Sequence, residues 1–274
     1  MALTKVIGNG LGAVTQDGAA TFNEGSADVD FRVESNGNTH MLFVQAGSDC
    51  LGIKTASPND YYADDLVLTV PDEGGMTFVT GTTHANYISF ADGTSGNAAY
   101  RGFLKYDHNN DRMTFGTSGN SAIEVDSTGA VTKPLQPAFL VQPASAQNNM
   151  SVGSNITIVF GTEIYDQNGD FSSNTFTAPV TGKYQLSFAL RVDQLDAASD
   201  YYNFFFETSN RSYFYLFEPN LANDGADITR FPAVLSILAD MDANDTVTVR
   251  MFQQSGSAVT DIITDSYFSG YLVC

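Results

Sequence analysis

A chain of 274 residues exceeds the usual domain size of roughly 100 to 150 residues, so two structural regions are expected, at least one with a full core. Its 31 acidic and 12 basic residues give a formal charge of -19, which repels nucleic-acid phosphates and anionic headgroups and argues against nucleic-acid partners. Only 16% of residues are charged, while Gly, Ser, Thr, Asn, Asp and aromatic residues abound; this is the vocabulary of short strands and tight turns, and the chain reads as all-β.

Residues 1–27 are small, polar and Gly-rich, which fits an N-terminal attachment arm that orders only against something else. The opening Met-Ala-Leu-Thr-Lys-Val-Ile breaks at Gly8, and no later apolar run approaches a membrane span. Synthesis in a cytoplasm without ordinary export, and no membrane insertion, are therefore expected. Cys50 and Cys274 lie far apart in different regions, so they are read as unpaired thiols rather than a disulfide or metal pair.

Residues 28–132 alternate short strands with Gly, Asn, Asp or Ser: Val29 to Glu34, His40 to Ala46, Leu66 to Val70, Met76 to Thr80, Tyr87 to Phe90, Tyr100 to Tyr106, Arg112 to Gly116 and Ile123 to Asp126. These strands are too poor in apolar residues to close a core alone, and their edges invite pairing with other chains. The region is expected to be a β-rich shaft intertwined with identical neighbours, most naturally as a trimer. Val33-Glu34-Ser35-Asn36-Gly37 recurs in kind as Val125-Asp126-Ser127-Thr128-Gly129, a weak internal repeat. The succession Ile88-Ser89-Phe90, then Tyr106-Asp107-His108, Met113-Thr114-Phe115 and Ile123-Glu124-Val125-Asp126-Ser127-Thr128-Gly129 resembles a module of bacteriophage tail fibres.

Pro134 and Pro137 stiffen a connector, residues 133–137, ahead of a C-terminal head, residues 138–274. Its expected strands are Ala138 to Gln142, Asn155 to Phe160, Thr175 to Ala178, Lys183 to Val192, Tyr202 to Thr208, Ser212 to Phe217, Ala233 to Leu238, Thr246 to Gln253 and Tyr267 to Val273. From Tyr184 to Val192, Tyr184, Leu186, Phe188, Leu190 and Val192 share one face, and Lys183, Gln185, Ser187, Ala189 and Arg191 the other. Pro179 to Gly182 is the turn that launches this strand. The phrase Phe176 to Val192 and the terminal Tyr267-Phe-Ser-Gly-Tyr-Leu-Val273 resemble the C1q/TNF-like family, which implies a ten-stranded jelly roll assembling as a homotrimer.

Two strands depart from alternation: Phe204-Phe205-Phe206 and Tyr213-Phe214-Tyr215 are aromatic on both faces. One face can fill the core; the other is assigned to the trimer interface through Phe204, Phe206, Tyr213 and Tyr215, or to cover by a loop.

Catalytic footholds are few. His40, His84 and His108 all precede the head, and no Gly-x-Ser-x-Gly, phosphate loop or His-Glu-x-x-His occurs, so an enzyme is not expected. Asp107-x-Asn109-x-Asp111 begins like a calcium loop, but Arg112 stands at the required glycine and Ser118 at the required Glu, which leaves a self-capped Asx turn. Asp166-Gln-Asn-Gly-Asp170 reads as a hairpin turn. No cofactor or metal is expected. Recognition is placed in three head loops, Asp193 to Tyr201, Glu218 to Thr229 and Gln253 to Asp261, with Asp196, Tyr201, Asn220, Asn223, Asp224 and Asp227 as contact candidates, although the same residues also make ordinary solvated loops.

Together these features describe a homotrimeric, non-enzymatic virion fibre of a bacteriophage, held to another virion protein by its arm and released by lysis, whose head binds a host-surface glycan or protein. A decorating fibre without receptor role, a fibre-borne depolymerase and a secreted recognition protein stand as rivals.

Overall fold

The computed structural model describes residues 25, 28–219 and 225–274. The expected attachment arm, residues 1–27, thus lies outside the described residues except for Gly25. The chain divides into two compact units, Met1–Val79 and Thr80–Cys274, so the stretch expected as one shaft is shared between them.

The first unit holds a four-stranded sheet in the order β1-β2-β3-β4, built from β1 (Phe31–Ser35), β2 (Asn38–Gln45), β3 (Cys50–Ile53) and β4 (Leu66–Leu68). β1, β2 and β3 are antiparallel neighbours and β4 joins β3 in parallel. One face is capped by the chain's own loop: Phe43, Cys50 and Val67 are buried together with Pro58, and a Cβ on Gly52 would stand 2.8 Å from Thr55 Cγ2. The expected strand Met76 to Thr80 is irregular and belongs to no strand.

In the second unit a five-stranded antiparallel sheet comes first, β5 (Ala85–Phe90), β6 (Gly102–Asp107), β7 (Arg112–Thr117), β8 (Asn120–Val125) and β9 (Val131–Thr132), ordered as in the sequence. β5 reaches β6 through residues 91–101, whereas β6 to β9 follow one another through short turns. Asp126 accepts the Thr128 N–H at 2.8 Å, the Thr128 hydroxyl at 2.6 Å and the Ala130 N–H at 3.0 Å, the Asx chemistry that frees β8 to turn into β9.

The jelly roll follows. One sheet runs β12-β10-β21-β15-β18, from β10 (Ala138–Gln142), β12 (Thr162–Gln167), β15 (Gly182–Leu195), β18 (Ile228–Met241) and β21 (Tyr267–Leu272), with β20 (Asp261–Ile262) beside β15. The facing sheet runs β13-β14-β19-β16-β17, from β13 (Phe171–Ser172), β14 (Thr175–Thr177), β16 (Tyr201–Thr208), β17 (Ser212–Phe217) and β19 (Thr246–Gln254), with β11 (Ile156–Thr157) beside β19. Period-2 alternation sends Tyr184, Leu186, Phe188, Leu190 and Val192 of β15 into the interior, where they meet Phe139, Phe176, Phe206, Val249 and Phe268. Each such aliphatic or aromatic side chain contributes about 1.5–3 kcal/mol on burial.

One expected turn has a different role. Asp166 to Asp170 does turn, with Asn168 and Gly169 at φ 92° and 75°. It is not a hairpin, because β12 pairs with β10 while β13 pairs with β14. The turn carries the chain from one sheet to the other, held by Asp166, which accepts the N–H groups of Asp170 at 3.1 Å and Phe171 at 2.9 Å.

Candidate assembly and recognition surfaces

The three loops proposed for recognition are tied to one another by their own polar groups. Asp196, only 6% exposed, accepts the Ala198 N–H at 2.7 Å and also the Ser257 N–H, so the first loop is pinned to the third. Gly256, at φ 80°, leaves the room: a Cβ there would stand 2.6 Å from Asp196 Oδ2. The Asp196 N–H donates to the Tyr202 hydroxyl at 2.9 Å, which also meets Thr260 Oγ1 at 2.8 Å. Asp227 accepts the Ala197 N–H at 2.9 Å and ties in the second loop. The structure therefore makes Asp196 an internal clamp rather than an exposed ligand group, and gives Asp227 a clamping bond of the same kind. Tyr201 is half-buried, its ring 5.9 Å from that of Phe252. Asn220, Asn223 and Asp224 lie outside the described residues.

The aromatic strands also differ from expectation. Phe204 and Phe206 are fully buried inside their own sandwich, so neither can meet a neighbouring subunit. Tyr213 and Tyr215 pack against that same interior, Tyr215 with its ring 6.3 Å from Phe231. The reason is register: Phe204 faces Tyr215 and Phe206 faces Tyr213 across β16 and β17, so all four share the inward face. Phe205 points the other way and is covered by Phe214, ring to ring at 4.9 Å, leaving Phe214 and Leu216 exposed.

A different surface was missed. On the outer face of the β15 sheet, register aligns Tyr271 with Gln185 and Leu238, Ser269 with Ser187 and Ser236, and Tyr267 with Ala189 and Val234. These rows contain no charge. Tyr271, Leu238 and Val234 are about half exposed, and Ser187 and Ser236 share a 2.8 Å hydroxyl bond. Charge resumes only at the ends, Lys183 opposite Asp240 and Arg191 paired to Asp193 at 2.9 Å and Asp265 at 2.7 Å. The signal was present in the sequence as the second set of alternating residues in β15, β18 and β21.

The two earlier sheets share this layout. In the first unit Val33, Leu42, Val44, Leu51, Ile53, Leu66 and Leu68 fall on one face, with Val44, Leu66 and Leu68 at 40%, 59% and 40% exposure. In the second, Ile88, Phe90, Leu104, Met113, Phe115, Ile123, Val125 and Val131 do the same, with Phe90, Phe115 and Val131 well exposed. Lys105, Asp107, Arg112 and Glu124 all fall on the opposite face, where Arg112 and Glu124 pair at 3.1 Å.

As for chemistry, Asp107 spends its carboxylate on the Asn109 N–H and the Asn110 side-chain amide, both at 3.0 Å. The Asn110 amide in particular holds its carboxyl below the usual range. Among the described residues no three His, Cys, Asp or Glu side chains gather into a metal-holding group, and no helix is long and apolar enough to cross a membrane. Cys50 is buried and Cys274 exposed, neither in a disulfide.

Residues 138–273 match the family model of the C1q domain. No curated protein matches the chain. Among solved structures the chain is similar to the globular domain of zebrafish complement 1qA protein, at 16% identity over 51% of this chain and 98% of that one, with a TM-score of 0.36. It is also similar to murine APRIL at pH 8.5, at 6% identity over 50% of this chain and 99% of that one, again with a TM-score of 0.36.

Proposed function

We propose that this chain, whose residues 138–273 form a C1q/TNF-like jelly roll, is a homotrimeric, non-enzymatic fibre of a bacteriophage virion whose C-terminal head engages the host surface. One observation carries the reading: a single chain leaves three uncharged faces open, one on each shaft sheet and one on the β15 sheet of the head. In a chain of net charge -19, these are the faces that identical copies can bring together without repulsion. Three copies of each shaft sheet, apolar faces inward, supply the second layer that each sheet lacks, while Lys105, Arg112 and Glu124 stay outward. Each Ile, Leu or Phe covered this way contributes about 1.5–3 kcal/mol at full burial. C1q/TNF-like domains assemble as trimers, which supports threefold over twofold closure, and the resemblance of residues 88–129 to a module of bacteriophage tail fibres motivates the virion setting. Three heads joined in one assembly gain avidity of about 10²- to 10⁴-fold over a single weak contact.

Cysteine reactivity in the full chain tests the assembly. In a Cys274→Ser background, Ile123→Cys and Leu66→Cys are expected to resist maleimide and to cross-link between copies, whereas Ser89→Cys on the charged face labels freely. Equal labelling at all three sites would reject it. Adhesion is tested by binding of the purified trimer to host cells in competition with surface polysaccharide. A second reading, a decorating fibre without receptor role, is favoured by one observation, the burial of Asp196 as a loop clamp. Absence of cell binding would select it.

A further inference from the structure

The charged face of the β5–β9 sheet holds a cleft of about 410 Å³ lined by Tyr87, Ser89, Tyr100, Phe103, Lys105 and Gly119, within the size range of small-ligand sites, about 300–1,000 Å³. Its floor is fixed. Phe103 lies directly over Gly116 of the neighbouring strand, where any Cβ would collide with the ring. Register sets Ser89 beside Phe103 and Tyr87 beside Lys105, so ring, hydroxyl and ammonium belong to two adjacent rows of one face.

One wall is Tyr87, its ring 6.4 Å from Phe103 at 65°. The other is Tyr100, at the end of the short 3₁₀ turn Gly96–Tyr100. That turn is anchored: the Ala98 carbonyl accepts the N–H groups of Asp92 at 2.9 Å and Gly93 at 3.2 Å, and Arg101 pairs with Asp92 at 3.2 Å. Tyr100 donates to Asn97 at 3.0 Å. Asn97 in turn lies against Gly119, whose φ of 76° and missing side chain keep that rim open. Tyr87 and Tyr100 nevertheless remain 53% and 41% exposed, aromatic surface on a face that otherwise carries the sheet's charges.

The lining also inverts the chain's charge balance. With 31 acidic and 12 basic residues overall, the cleft contains one lysine and no carboxylate. The nearby Asp107 is engaged by Asn109 and Asn110. A planar base stacked on one ring would not lie flat on the other, because the Tyr87 wall is inclined at 65° to the Phe103 floor. A puckered pyranose has C–H edges for both tyrosines, hydroxyls for Ser89, and, if carboxylated, a partner for Lys105.

We propose that this cleft is a binding subsite for a carboxylated pyranose, such as a uronic acid of a surface polysaccharide. It rests on the fibre reading in one respect: inward packing of the opposite face turns the cleft outward, in three copies.

Saturation-transfer NMR on the full chain, with glucuronic acid and glucose as probes, tests this. Glucuronate is expected to bind in roughly the millimolar range and to receive saturation from aromatic protons. Tyr87→Ala and Tyr100→Ala, both at half-exposed positions, are expected to reduce that signal about tenfold while leaving the thermal midpoint unchanged. Lys105→Met is expected to erase a preference for glucuronate over glucose of about three- to fivefold. No transfer to either sugar, or transfer unaffected by both tyrosine variants, would overturn the site. Tyrosine-dependent binding that ignores Lys105 would overturn the acidic-sugar assignment. Sedimentation of the same samples separates the two readings: a trimer without sugar transfer removes only the subsite, and a monomer with tyrosine-dependent transfer removes only the fibre.

Discussion

The Cα of Gly270 faces the ring of Phe139 so closely that a Cβ at position 270 would stand 2.7 Å from Phe139 Cε1 and 2.8 Å from Leu186 Cδ2. Three strands meet there, since Gly270 pairs with Phe139 on one side and Leu186 on the other. The glycine of the terminal Phe-Ser-Gly-Tyr-Leu phrase is thus a packing requirement. Gly270→Ala is expected to cost about 1–3 kcal/mol through overpacking, read as a fall in the denaturation midpoint of the full chain. An unchanged midpoint would mean that Phe139 has room to move.

The alternation of β15 was legible because burial on one face of a strand writes itself at period 2, and Tyr184 to Val192 obey it without exception. The limits of β10 were legible for the same reason, and those of β17 from its aromatic run between turn residues. β18 was read too short, as Ala233 to Leu238, because Pro232 has no N–H to donate. It stands at the end of the sheet order, where a missing donor is tolerated, and the strand runs from Ile228 to Met241. Met76 to Thr80 has strand composition but belongs to no strand, and pairing is decided by neighbours that composition does not name. At the loops, acidic residues were read as surface groups. Whether Asp196 faces solvent or the Ser257 N–H depends on how two loops 61 positions apart meet, which no local pattern records. The Phe204 to Phe206 run was legible as needing cover on both faces, but which face met Tyr213 and Tyr215 depended on register.

Asp196→Ala is expected to leave the N–H groups of Ala198 and Ser257 without their acceptor. Loss of buried partners costs about 1–3 kcal/mol, and the effect should concentrate in the loops. Limited proteolysis is expected to cut within 193–201 or 253–261 before the sheets open. Cleavage unchanged from the parent protein would remove the clamp assignment.

Asp170 gives a pH signature. Burial, and then the neighbouring Asp166, push its carboxyl above the ordinary 3.8. The folded state therefore favours the protonated form: its contribution is complete below about 3.8 and is lost as pH rises through the raised folded value. Asp170→Asn, a neutral mimic, should raise the thermal midpoint at pH 7 by about 2 °C and give no gain at pH 3. Equal gains at both pH values would assign the effect to something other than charge.

Ile123→Arg places a cation on the apolar face of the β5–β9 sheet, where the single chain leaves Ile123 36% exposed. Exposed in a monomer, the change would cost little; covered by another copy, it buries an unpaired charge. Assembly is expected to weaken by about 100-fold or more, equivalent to roughly 3 kcal/mol, with the jelly-roll signal in near-UV circular dichroism retained. Lys105→Arg on the opposite face serves as the reference and is expected to assemble normally.

Closure of the uncharged faces on the shaft sheets and the head by copies of the same chain is measured directly by sedimentation equilibrium of the full-length protein. A single species of three times the 29.4 kDa chain mass is expected, and a stable, monodisperse species of one chain mass would contradict closure by copies.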